Sequence, residues 1–157
     1  MKTHEESLAE LLAKAILATR SVAADQEPLT SGEANAPSVF DGDSLLQRLL
    51  GDRELACAVL AGFVQDAPFQ LMQLHARLVE EDTAKIQLQA HNLKGSAATV
   101  GAEALRAIAL SIETSAAASQ LDPCRDLLPF AINEFERFKA QVEAEGWIAK
   151  TENIFHT

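Results

Sequence analysis

The chain has 157 residues and a mass of 16.9 kDa, room for one domain with a full core but not for two. Its net charge of −10 comes from 13 Lys+Arg against 23 Asp+Glu, with the segments 1–36, 37–121 and 122–157 each net acidic, which excludes a general nucleic-acid binder with its clustered basic face. Hydrophobic residues at 48% exclude a disordered chain, and seven Phe, one Trp and no Tyr are too few for the stacking platforms of single-strand binders.

Residues 5–23 read as a helix, with Leu8, Leu12, Ala15, Thr19 and Val22 recurring at helical spacing. Glu10 and Lys14 break this stretch as a signal sequence, and its acids disfavour a transit peptide. Residues 24–38 carry Pro28, Gly32 and Pro37 among Ser, Thr and Asn, the composition of a linker. A short helix follows, capped by Asp43 or Ser44 and ended by Gly51-Asp52. The next is predicted from about Arg53 to Val79, on a stripe of Leu55, Val59, Phe63, Leu71, Leu74 and Leu78. Pro68 should kink it, or restart it with Asp66 as the cap.

Glu81-Asp82-Thr83 makes the next junction, and a helix to Val100 closes on Gly101, suited to the left-handed position. Another spans Ala102–Ser119. Leu121-Asp122-Pro123 interrupts before a last helix over Cys124–Glu145, with Leu127, Leu128, Ile132, Phe135, Phe138 and Val142 inside. The short connections favour antiparallel neighbours. The expected fold is all-α, an antiparallel up-and-down four-helix bundle with an additional N-terminal helix. It divides into the N-terminal helix (1–24), a linker (25–38), the bundle (39–146) and a tail (147–157).

The helix before Gly101 carries the specific signal. At about 100° per residue, Ile86, Ala90, Leu93, Ala97 and Val100 form one core seam, and His91 points away from it. Its axial neighbours are Gln87 one turn earlier, Lys94 and Gly95 one turn later, and Ala98 beyond. A mid-helix glycine costs about 0.5–1 kcal/mol relative to Ala, so its use beside an exposed imidazole implies close approach. A lone surface histidine is ordinary; the joint pattern is not.

The run His91-Asn92-Leu93-Lys94-Gly95-Ser96-Ala97, with Gly101 ten residues after the histidine, resembles the signature of histidine-containing phosphotransfer (HPt) domains, H-x-L-K-G-[SA]-[SA] and then a glycine at the helix end. The resemblance extends from about Val39 to Val142 and takes in the Phe63-Val64-Gln65-Asp66-Ala67-Pro68 run. Leu88 and Gln89 depart from the pattern, standing where such domains often show a polar or basic residue and then an apolar one. The resemblance implies a phosphorelay intermediate that carries a phosphoryl group on His91 between receiver-domain aspartates. In that family the acceptor for the second ring nitrogen lies 22 residues after the histidine, here Glu113.

Chemistry agrees with each assignment. Histidine titrates near neutrality, so its ring supplies an unprotonated nucleophile. Lys94 suits the charge of phosphoryl oxygens. Gly95, Ser96 and Ala98, with Gln87, clear or line the face where a partner docks; Ser96 either hydrogen-bonds the phosphoryl group or is simply small. The implied partners are response-regulator receiver domains and a hybrid sensor histidine kinase, with no nucleic acid and no membrane contact. No cofactor is expected on this chain, Mg²⁺ belonging to the receiver's acidic pocket.

His75 lacks a motif, and His4 and His156 fall in terminal stretches. No Glu-x-x-His, HExxH, GxxxxGK[ST] or GxGxxG occurs, so the chain reads as a phosphoryl carrier without an ATP site, not an enzyme. Cys57 and Cys124 form no CxxC pair and read as thiols of a reducing, cytoplasmic compartment. Two other readings stand beside the carrier: a helical interaction module with an idle histidine, and a substrate domain phosphorylated directly by an ATP-binding kinase domain. Glu5-Glu6-Ser7-Leu8-Ala9-Glu10-Leu11-Leu12 resembles the last helix of a receiver domain, or is an accessory helix packed on the bundle.

Overall fold

In the computed structural model, which describes residues 37–149, the apolar-periodic stretches become α1 (Gly42–Arg48), α2 (Arg53–Glu80), α3 (Thr83–Val100), α4 (Glu103–Ala117) and α5 (Leu121–Ala144). The helix expected over 5–23, the linker as far as residue 36 and the chain from residue 150 lie outside the described residues.

Caps and turns explain most boundaries. Asp41 caps α1, its Oδ1 accepting from the Ser44 N–H at 3.1 Å, so neither Asp43 nor Ser44 is the cap. Asp43 sits instead in the first turn, where its charge suits the helix dipole. Asp52 caps α2 and Asp82 caps α3 in the same way. Gly101 ends α3 at φ +79°, and a Cβ there would stand 2.8 Å from the Asp41 carbonyl oxygen. Glycine is therefore required twice, by the backbone angle and by the close approach.

Two boundaries near prolines differ from expectation. Helix α2 does not restart at Pro68, and Asp66 caps nothing; its carboxylate accepts from Gln70 Nε2 at 2.6 Å. Pro68 forfeits one backbone hydrogen bond, but it is buried with Ala67 and Leu71, whose packing holds the helix together on both sides. The interruption expected at Leu121-Asp122-Pro123 falls three residues earlier, at Ala118-Ser119-Gln120, and α5 begins at Leu121. Pro123 is its third residue, where a backbone N–H would have had no intrahelical acceptor.

The core stripe of α2 also differs from expectation in its first half. Ala56, Leu60, Phe63, Ala67, Leu71, Leu74 and Leu78 are buried, whereas Leu55 is 46% exposed and Val59 only partly buried. Both sets fit helical spacing, and continuity with Ala67 and Leu71 selects the one through Ala56 and Leu60. By length and mean hydropathy (1.4 over 18 residues) α2 could cross a membrane, yet this stripe forms the middle of the bundle.

Loops of two or three residues join α2 to α5 in succession, so neighbours run antiparallel. Helix α3 packs on α4, α4 on α5, and α2 on both α3 and α5, which closes the four-helix bundle. Short α1 lies across α2 and α3. Edge-to-face rings fill one end: Phe40 with Phe138 at 5.3 Å and with Trp147 at 5.6 Å, and Phe63 with Phe138 at 5.3 Å. Trp147, the first residue of the expected tail, is thus part of the core, with the Arg53 guanidinium 4.0 Å above its ring.

Candidate functional site

All five seam residues of α3 are buried, which turns His91 outward with its side chain 60% exposed. On α4 the seam is Leu105, Ala109, Ile112 and Ala116, and Glu113 follows Ile112 at the edge that faces α3. The α3–α4 hairpin sets these two side chains level. His91 stands eleven residues before Ala102 and Glu113 eleven after it, and antiparallel helices bring equidistant residues abreast. The ring Nδ1 lies 2.9 Å from Glu113 Oε2.

Lys94, one turn beyond His91, places Nζ 2.8 Å from the other carboxylate oxygen, Oε1. Glu113 thus holds both neighbours at once and is itself only 17% exposed. Its pKa lies below the ordinary carboxylate value. The Lys94 ammonium is the main cause, opposed by desolvation and assisted by the His91 hydrogen bond. The contribution of this clamp to stability is therefore present above the unfolded carboxylate value, and is lost only as pH falls through the lowered folded one.

An ionised carboxylate can only accept hydrogen bonds, so Nδ1 of a neutral His91 must carry the proton. That tautomer leaves the Nε2 lone pair free on an open face.

The space around the ring follows from small residues. A Cβ added at Gly95 would meet nothing within 4 Å, so no described part of the bundle needs the glycine for packing. Gln87 is exposed and Ala98 half-buried on the same face. Ser96 turns elsewhere: its Oγ accepts from Gln70 Nε2 of α2 at 3.2 Å, and Gln70 also binds Asp66. Sequence reasoning missed Gln70, because its contact crosses helices and leaves no local signal. It likewise missed Arg48 of α1, whose Nη2 donates to the carbonyls of Ala98 and Thr99 at 3.1 and 3.0 Å.

The structure thus brings together His91, Lys94 and Glu113, with Gly95 open beside them. His75, on α2, is half-buried and belongs to no such cluster. Cys124 is buried and donates to the Ile112 carbonyl at 3.5 Å, and burial pushes its thiol pKa up. Among the described residues no group of three or more His, Cys, Asp or Glu could hold a metal ion. His4 and His156 lie outside the described residues.

The clamp predicts the result of Lys94→Ala. Loss of the ammonium removes the main cause of the low Glu113 pKa, so the carboxyl should titrate at higher pH, read by carboxyl ¹³C shifts. With Lys94 off the core seam, stability should change by no more than about 0.5 kcal/mol. An unmoved Glu113 titration would show that the ion pair does not form in solution.

A family model for the Hpt domain matches residues 58–145, more than half of the chain. No curated protein and no solved structure matches it.

Proposed function

The chain belongs to the Hpt domain family, whose members carry phosphoryl groups in phosphorelays, and we propose that His91 is its phosphoacceptor. One observation carries this reading: an exposed imidazole whose Nδ1 is engaged by an ionised carboxylate, so that Nε2 faces open solvent as the nucleophile. Nε2 attacks the phosphorus of an aspartyl phosphate on a receiver domain. The N–P bond forms as the bond to the aspartate oxygen breaks, and the carboxylate leaves. A second receiver's aspartate reverses the step.

Each neighbour has a part in this account. Glu113 orients the ring, fixes its tautomer and stabilises the positive charge that develops as Nε2 bonds to phosphorus. Lys94 offsets the Glu113 charge, so that an anionic phosphoryl group approaches a site that is not net negative, and it stands within a turn of the incoming oxygens. Gln87, Gly95 and Ala98 form the face on which the receiver docks, while Ser96 with Gln70 braces α3 against α2. The receiver supplies Mg²⁺ and most of the electrostatics, and this chain supplies position. It carries the phosphoryl group without an ATP site, between receivers that include one attached to a hybrid sensor histidine kinase.

Incubation with receivers charged by labelled acetyl phosphate tests the proposal. Label should pass to this chain and on to a second receiver; a chain that stays unlabelled with every charged receiver overturns it. Glu113→Ala should slow transfer by roughly ten- to a hundredfold, the equivalent of one charge-assisted hydrogen bond. It should also let the ring sample both tautomers, visible in its ¹⁵N shifts. An unchanged tautomer ratio would mean that the two side chains do not meet.

A further inference from the structure

Helix α2 carries a second row of residues beside its core stripe. Leu55, Val59, Gly62, Asp66 and Phe69 recur at successive helical spacings of four, three, four and three residues, with Asp66 the one charged member. Leu55 and Phe69 are 46% and 60% exposed, and a Cβ at Gly62 would meet nothing within 4 Å. Val59 joins Leu45, Arg48, Leu49, Ala98 and Thr99 in lining an open groove of about 530 Å³ between α1, α2 and α3. Leu55, Val59 and Phe69, with the groove beside them, form an apolar surface that a partner segment can cover.

The chain ahead of residue 37 fits that role. Leu8, Leu12, Ala15, Thr19 and Val22 repeat the same four, three, four, three spacing, so both stripes run about 21 Å as helices. Ala15 stands at the middle of one as Gly62 does of the other, which lets two backbones approach closely. The chain joins the bundle beside the groove: Asp41 N–H donates to the Gly101 carbonyl and the Ala104 N–H to the Ser38 carbonyl, both at 2.8 Å, at the turn that follows Ala98 and Thr99. The residues between Val22 and Ser38 span up to about 50 Å when extended, ample for either direction of return. Charge agrees as well. Arg48 on the groove meets only neutral oxygens of Ser44, Ala98 and Thr99 among the described residues, and Glu5, Glu6 and Glu10 lead the segment.

We propose that residues 5–23 of this same chain seat as an amphipathic helix on the α1–α2–α3 face, over Leu55, Val59, Gly62, Phe69 and Ala98. A helix of that length is marginal alone in water, so it gains its stability from the seat. Ala98 also belongs to the face assigned to the receiver, so an occupied seat competes with receiver docking; this second part rests on the function proposed above.

The test uses the full chain with a nitroxide on Lys14→Cys, off the stripe and near its middle, in a Cys57→Ser background; buried Cys124 stays unlabelled. The amide signals of Val59, Gly62 and Ala98 should broaden while that of Arg137, exposed on α5, keeps its intensity. Leu8→Asp with Leu12→Asp should remove the broadening. Uniform or absent broadening overturns the seat. So does broadening in a mixture of nitroxide-bearing chains and separate ¹⁵N chains, which would assign the face to a second copy. In the double variant, transfer from a charged receiver below saturation should rise roughly fivefold if the seat is about 80% filled. An unchanged rate, with the broadening lost, overturns the competition and leaves the seat. Absence of transfer in every variant strikes the phosphorelay reading alone.

Discussion

His91→Gln should reduce labelling by charged receivers to background while the bundle stays folded. The side chain is 60% exposed and off the seam of α3, so its replacement removes no core packing, and stability should move by less than about 0.5 kcal/mol. Glutamine keeps an amide near Glu113, and Lys94 still pairs with the carboxylate 2.8 Å away, so the clamp survives without its nucleophile. An amide nitrogen has no available lone pair, which makes the loss complete and not partial. The label on the unmodified chain should be released in acid and persist in base, as a phosphorus–nitrogen bond requires. Label that remains on His91→Gln, or that survives acid as a phosphoserine would, would move the acceptor to another residue.

Helix α3 was the most legible element because its signals are local. The seam of Ile86, Ala90, Leu93, Ala97 and Val100 set which way it faced, and the same count turned His91 outward. Gly101 marked the end through a backbone angle that few residues adopt. Glu113 came by resemblance, yet its place has a physical account: the two-residue turn Gly101-Ala102 folds α4 back along α3 and brings residues eleven positions to either side of Ala102 abreast.

What escaped the sequence depends on contacts between helices. Two stripes of α2 satisfy the same periodicity, and only the neighbours determine that Ala56 and Leu60 go inward while Leu55 and Val59 do not. Pro68 reads as a break until the packing of Ala67 and Leu71 is known. Gln70 reaches Ser96 across 26 positions, and no spacing rule connects them. Local periodicity thus set which way His91 faces, and tertiary packing decided what surrounds it.

Gly95→Leu should leave the bundle as stable as before, or slightly more so, and still abolish most phosphotransfer. The stability half follows from space. No described atom lies within 4 Å of an added Cβ, so a leucine projects into the open, and replacing a mid-helix glycine gains about 0.5–1 kcal/mol of helix propensity. Thermal denaturation should register that as a midpoint unchanged or raised by a few degrees. The functional half follows from placement. Gly95 is one turn beyond His91 on its exposed face, and a leucine there holds a docking receiver away from Nε2. Misplacement of reacting atoms by about 1 Å costs on the order of a hundredfold, and a leucine side chain imposes more. Gly95→Ala, which adds only the unopposed Cβ, separates bulk from flexibility: it should share the gain in stability and keep much of the transfer rate. A destabilised Gly95→Leu would mean that the glycine admits another part of the chain, and a stable, fully active one would mean that receivers approach His91 from a different side.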